Sequence, residues 1–257
     1  LIRLTAFFGV STIRGKMKIS SESLEYLRGD KFADGYTFQT GSRHDHPPVG
    51  LGRIDFLCEM ASGKRVIHLG CCDHLPIIEK AIANGRWLHG KLAAKSATCV
   101  GLDIDEEAVT MLQQKLGIPD VYCCDITKAL PSQLDGQNFD AVIAGEVLEH
   151  IDNPVAFLSS VRRNLLGRVA EIIISVPNAF YGHNRRHALR GRERINSDHR
   201  YWFTPYTLAK VCVMAGLQPE EFFLVEFGAT ARPSLRRRIS HGRFPMLRDG
   251  IVIRARL

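Results

Sequence analysis

The chain has 257 residues, 45% of them apolar, which suits one sizeable α/β domain with additions better than two domains. No apolar run approaches the roughly 20 residues of a membrane span, and the start lacks the basic region and small-residue cleavage site of a secretory signal. The net charge of +7 is local: residues 183–200 and 229–249 together hold twelve Arg against three acidic residues. Such patches point to a phosphate, carboxylate or nucleic-acid partner, or to a solvated surface with none.

In chain order, residues 1–16 read as an upstream extension of little structural weight. Residues 20–28 read as a short helix opened by Ser20 and Ser21. Residues 29–50, rich in Gly, Asp, His and Pro, read as a loop. Within it His44-Asp45-His46 is too sparse for metal ligation and reads as polar loop. Residues 1–50 are therefore set apart as an extension with room for a lid, and 51–257 as the main domain.

Leu51 to Ala61 forms a helix that leads into a buried strand at 65–69. A helical region over 76–96 follows, then a strand at 97–102. Residues 105–116 form a helix, because Val109, Leu112 and Leu116 recur on one face. Short strands follow at 121–124 and 139–144. Asn153-Pro154 opens a helix to Leu166, and 171–176 is a fifth strand. Thr204-Pro205 opens a helix that stops at Gly216. Two final strands, near 221–228 and 250–256, flank the second basic segment with no helix between them. β-branched strands alternating with helices predict a Rossmann-like, mostly parallel seven-stranded α/β sheet, covered on both faces and closed by an antiparallel hairpin. Seven Cys without C-x-x-C spacing, several inside predicted core strands, read as reduced, buried thiols of a cytoplasmic protein.

Ligands in such sheets bind beyond the carboxyl ends of the strands. After the first strand comes Gly70-Cys71-Cys72-Asp73-His74, where Gly70 permits a tight turn. After the second comes Asp103, placed to accept hydrogen bonds from a ribose diol. After the third comes Asp125, suited to an exocyclic amine. After the fourth comes Gly145-Glu146-Val147-Leu148-Glu149-His150. Singly, each Asp reads more often as a helix cap or loop residue. Their order and spacing carry the signal.

In that order the chain resembles the class I S-adenosylmethionine-dependent methyltransferases of the small-molecule, ubiquinone-biosynthesis-like group. The resemblance covers residues 60–228. It rests on Val66 to Asp73, on Gly101-Leu102-Asp103-Ile104-Asp105, on Cys124-Asp125-Ile126 and above all on Phe139 to Ile151. Trp202-Phe203-Thr204-Pro205-Tyr206-Thr207-Leu208 resembles a late segment of those enzymes. It implies S-adenosylmethionine as cofactor, held by Gly70, Cys71, Asp103, Ile104, Asp125, Ile126, Gly145 and Glu146. Two positions depart from the family pattern. His68 stands where an acidic residue is usual and reads as a core or supporting histidine; Cys72 stands where a second Gly is usual.

The sulfonium donor carries its own electrophile, so the protein must align a nucleophile and exclude water. A hydroxyl acceptor also benefits from a base near neutrality. His150 and His199 are the catalytic candidates, with His183 and His187 behind them. His150 reads equally as a structural histidine. Arg185, Arg186, Arg190 and Tyr201 are the candidate acceptor contacts, since a guanidinium fork can hold a phosphate or carboxylate; Trp202 and Phe203 read as core. The implied acceptor is a small anionic or sugar-containing molecule, methylated on oxygen, with no metal and no membrane partner. A nicotinamide oxidoreductase is disfavoured because no G-x-G-x-x-G follows a strand. A nucleic-acid methyltransferase is disfavoured because Gly145-Glu146-Val147-Leu148 replaces the Asn/Asp-Pro-Pro-aromatic motif. A non-catalytic binding module is the remaining alternative.

Overall fold

The computed structural model describes residues 17–72 and 75–257. The extension at 1–16 and the pair Asp73-His74 lie outside the described residues.

Seven strands form one sheet in the order β3-β2-β1-β4-β5-β7-β6. They are β1 (Arg65–Leu69), β2 (Thr98–Asp103), β3 (Val121–Cys123), β4 (Phe139–Gly145), β5 (Val169–Pro177), β6 (Gln218–Val225) and β7 (Gly250–Arg256). β3, β2, β1, β4 and β5 pair in parallel. β7 runs antiparallel between β5 and β6, so the expected terminal hairpin is present and carries the last strand into the sheet.

Alternation along the strands splits the core. Ile172, Ile174 and Val176 face one layer with Leu158, Val161 and Leu208, whereas Ile173, Ala141 and Ile143 face the other with Phe56, Leu57 and Leu92. The first layer comes from α1 (Ser21–Arg28), α6 (Pro154–Leu165) and α8 (Pro205–Met214); the second from α2 (Arg53–Ala61) and α4 (Leu88–Ala93). A smaller cluster joins Ile78 of α3 (Leu75–Ala83) to Val109 and Leu112 of α5 (Glu106–Gln114).

Three features differ from the sequence expectation. The helical region 76–96 is two helices, α3 and α4, with the turn at Gly85 in the left-handed region. The first basic segment contains α7 (Gly182–Ala188). The last two strands are joined through α9 (Leu235–Arg243), whose N-cap is Ser234. Arg236-Arg237-Arg238 therefore sits on a helix, not in a hairpin loop. Both helices escape a periodicity reading because neither buries a single residue. The Cys expectation needs one correction as well: Cys58, Cys71, Cys99 and Cys212 are buried, but Cys123 is exposed.

Residues 17–50 pack against the sheet edge. Lys18 bridges to Glu221 of β6, Tyr26 stacks on Tyr36 at 4.1 Å, and Leu27 joins the main core. The loop at 44–48 is stitched down by two buried groups. The Arg248 guanidinium donates to the carbonyls of Pro47, Leu224 and His241. The His46 ring lies against Thr40 O through Nε2 at 2.8 Å and receives the Leu224 N–H on Nδ1 at 3.2 Å. His46 is thus structural, and its ring is neutral with the proton on Nε2.

Two predictions follow from packing. A Cβ at Gly101, in the middle of β2, would lie 2.7 Å from Cys71 Sγ and 2.8 Å from His89 Cε1. Gly101→Ala should cost about 1–3 kcal/mol by overpacking, read as a lower urea midpoint at unchanged m-value. Burial lowers the His46 pKa to about 4 from 6.5; Arg248 adds to this, and the Thr40 bond and Asp45 oppose it. The unfolded chain therefore binds the extra proton first, and stability falls as pH drops from 6.5 towards 4, by about 3 kcal/mol from this group. His46→Gln should flatten the fall of the thermal midpoint over that window; an unchanged slope would refute the assignment.

Candidate active site

The parallel register pairs Leu69 with both Leu102 and Ala144. The next residues, Gly70, Asp103 and Gly145, consequently share one edge of the sheet. Gly70 is in the left-handed region (φ +67), and a Cβ there would lie 2.7 Å from Val147 Cγ2, so the turn requires glycine. Asp103 Oδ2 accepts the Cys72 N–H at 2.8 Å, and Oδ1 accepts the Asp105 N–H at 3.1 Å. These bonds fix the carboxylate and leave each oxygen capacity for another donor. Beside it Ile104 is 76% exposed, an apolar side chain left uncovered at the strand end.

Other candidates are engaged locally. Asp125 Oδ1 accepts the Thr127 hydroxyl at 2.6 Å and its N–H at 3.0 Å, and Lys128 stands 3.2 Å from Oδ2. The Thr127 hydroxyl leads in holding this carboxyl below its usual range. Ile126 is buried, with Asn164 donating to its carbonyl. Cys71 is buried, and its carbonyl accepts the Trp87 indole N–H at 2.9 Å. His68 is a core residue: its ring stacks on His89 at 5.5 Å. Burial lowers the pKa of both rings, that of His89 to about 4.

The exit from β4 is the most constrained part of the edge. A Cβ at Gly145 would lie 2.6 Å from Leu88 Cδ2. Glu146 has a positive φ of 59, a conformation that side chains other than glycine adopt at a cost, and its N–H is tied to Ser175 O at 3.0 Å. Arg53 of α2 donates to Ser175 Oγ at 3.1 Å and stands 4.0 Å from Glu146 Oε1. The chain then makes a 3-10 turn, Leu148–His150. Glu149 is fully buried, and its carboxyl oxygens meet no N–H or hydroxyl donor, only the carboxyl group of Glu146. Burial first, and then the charge of Glu146, push its pKa up to about 9.

Against this turn lies the segment from His199 to Tyr201. Arg200 donates its backbone N–H to Glu149 O at 2.7 Å and its guanidinium to His150 O. Tyr201 donates its hydroxyl to Asp152 O at 2.6 Å. The result brings together the two catalytic candidates: the rings of His150 and His199 meet edge to face at 4.7 Å. Glu149, His150 and His199 each offer a ligand atom within 4.8 Å of the others. His199 Nδ1 is buried without a partner. Burial and the neighbouring His150 lower the His199 pKa. His183 and His187 instead meet each other on α7 at 4.5 Å.

The acceptor candidates are divided. Arg185 lines a cavity of about 600 Å³ with Asn184, Arg192, Arg194, Trp202 and Met246. Arg186 and Arg190 are absent from its lining; Arg186 turns back to Gly182 O at 3.4 Å. Tyr201 is spent on the 148–152 turn. Phe203 is core, as expected, but Trp202 is half-buried in the cavity wall and donates to Glu193 at 2.8 Å. Sequence reasoning overlooked Glu149 and Arg53. The Glu-x-x-Glu-His spacing could have exposed the first; nothing in the sequence ties residue 53 to residue 146.

Cys71, Cys72 and Asp103 form a second group spaced for a metal ion. It is a poor one, because the Cys72 thiol and burial push the Cys71 thiol up, away from the thiolate that binds metal.

Comparison with known proteins agrees with this layout. A family model described as a methyltransferase domain matches residues 83–167. The ubiquinone biosynthesis O-methyltransferase of Dechloromonas aromatica is 27% identical over 69% of this chain and 74% of its own length. That of Paracidovorax citrulli is 27% identical over 47% of this chain, which spans 46% of that relative. The fold is shared with magnesium protoporphyrin IX methyltransferase from Synechocystis PCC 6803, at a TM-score of 0.51 and 18% identity over 91% of this chain and 93% of that one. The strand-end geometry, the matched methyltransferase domain and these relatives together support an S-adenosylmethionine-dependent methyltransferase of class I fold.

Proposed function

We propose that this methyltransferase transfers its methyl group to an oxygen of a small anionic or sugar-containing molecule. The observation that carries the reading is the meeting of His150 and His199 on the turn after β4. From there the chain runs through Arg200 and Tyr201 into Trp202, which lines the Arg-bearing cavity. In this reading the histidine pair meets the acceptor hydroxyl, and Arg185 with Arg194 holds the anionic part through charge-assisted bonds. The curated relatives are O-methyltransferases by name, which favours oxygen.

When bound, the donor would supply an electrophilic methyl group for the acceptor oxygen. The residues proposed to hold it are Gly70, Asp103, Ile104 and Gly145. Gly70 gives close backbone approach, the fixed Asp103 carboxylate has capacity for a ribose diol, and Ile104 offers an uncovered apolar face to the adenine. Asp125 and Glu146 are proposed to border the donor, with Cys71 and Ile126 supporting the loop from below.

Screening hydroxylated carboxylates, sugar phosphates and phenols with radiolabelled donor tests the acceptor class. A second reading, transfer to RNA, is favoured by the exposed Arg186 and Arg190 beside the cavity. It predicts RNA affinity that falls steeply with salt.

Asp103→Ala should weaken donor binding by about 1.5–3 kcal/mol, the range of a charge-assisted hydrogen bond; calorimetry giving wild-type affinity in a folded variant would overturn the ribose role. Arg185→Ala should raise the acceptor KM about tenfold to a hundredfold, from the same range, and leave the donor Kd unchanged. An equal loss on donor and acceptor would instead show that the cavity wall had collapsed.

A further inference from the structure

The turn after β4 holds more ionisable groups than a general base requires. Glu149 is fully buried, and its oxygens meet no N–H or hydroxyl donor, only the carboxyl group of Glu146. A carboxyl group in that setting stays neutral unless a nearby positive charge stabilises its ionised form. The nearest cation is of little help: Arg53 reaches Ser175, and its Nε is 4.0 Å from Glu146. His199 Nδ1 is buried without a partner. Glu149, His150 and His199 each place one possible ligand atom within 4.8 Å of the others.

We propose that Glu149, His150 and His199, with Glu146 beside them, form a binding site for one first-row divalent metal ion. Two imidazoles and one or two carboxylates make a mixed nitrogen and oxygen set. That set favours Mn²⁺, Co²⁺ or Zn²⁺ over Mg²⁺ and Ca²⁺, which take oxygen ligands. The scaffold is suited to holding it. The Arg200 N–H and guanidinium bind the carbonyls of Glu149 and His150, so the ligand from one segment is clamped to the ligands from the other. The strained Glu146 backbone (φ 59) turns the chain so that three consecutive functional groups fit in one turn. The site is closed behind by Glu149 and only half-buried in front, at His150 and His199. A closed back and an open front describe a site that keeps a coordination position for a further ligand, as catalytic sites do.

The proposal deepens the oxygen-acceptor reading and rests on it for its chemistry alone. An acceptor hydroxyl at the open position would be oriented and made more acidic by the metal charge, and its proton would pass to solvent water. His150 and His199 would then be ligands, not proton acceptors.

Binding is measurable without donor or acceptor, which separates the two readings. Full-length protein stripped with EDTA is titrated with MnCl₂ by calorimetry, and with CoCl₂ by visible absorption. One equivalent should bind, with cobalt bands of an imidazole-containing site. Glu149→Gln and His199→Ala should each weaken Mn²⁺ binding by at least about tenfold, and circular dichroism should report both folded. Should Glu149→Gln fail to fold, His199→Ala at the half-buried front carries the test. Wild-type protein that binds no Mn²⁺ or Co²⁺, or a folded His199→Ala that binds as wild type, would overturn the proposal. Metal binding with no methyl transfer to any hydroxyl would uphold the site and sink the oxygen-acceptor reading.

Discussion

Everything at the site depends on the parallel register of β1, β2 and β4. Because Leu69 is level with Leu102 and Ala144, the residue after each strand emerges at the same height. One slip of register would turn every side chain to the opposite layer, taking the core with it. The two layers, filled by Ile172 and Ile174 on one side and Ile173 on the other, therefore lock the positions of Gly70, Asp103 and Gly145. Their spacing in the site is a by-product of packing elsewhere.

The exit from β4 adds a second constraint, of polarity. Two carboxyl groups, Glu149 fully buried and Glu146 partly exposed, share this turn beside an arginine directed mainly at Ser175. Such a cluster weakens the fold unless it serves a function. The positive φ at Glu146 points the same way, because strain at a residue other than glycine persists where the surroundings enforce it. Stability spent here is recovered in the apolar layers behind.

The parallel strands were legible because each is a short β-branched run, and the site glycines and acids because they directly follow those runs. α7 and α9 were not legible: both are Arg-rich and bury no residue, and the apolar pair of α9, Leu235 and Ile239, is too little to mark a helix in a basic segment. The meeting of His150 with His199 also lay beyond sequence, since 49 positions separate them and the Arg200 and Tyr201 bonds that help to join their segments are contacts of the fold. Arg185 and Arg186 are neighbours in sequence, but a helix turns them about 100° apart, and only the fold reveals that Arg185 faces the cavity. His68 illustrates the reverse case. Its departure from the family pattern reads from the sequence as a core or supporting histidine, and it is a packed core ring.

The placement of β7 bears on how the protein is made. The strand that closes the sheet between β5 and β6 is the last of the seven in the chain. While residues up to 225 leave the ribosome, β5 has one unpaired edge and β6 has no strand at all to join it to the others. Both are rows of open N–H and C=O groups, and such edges recruit other chains. The nascent protein passes through an interval of adhesiveness that ends only when residues 250–256 slot in. A fusion or tag that delays that strand would be expected to show itself as aggregation during synthesis, even where the finished enzyme is stable.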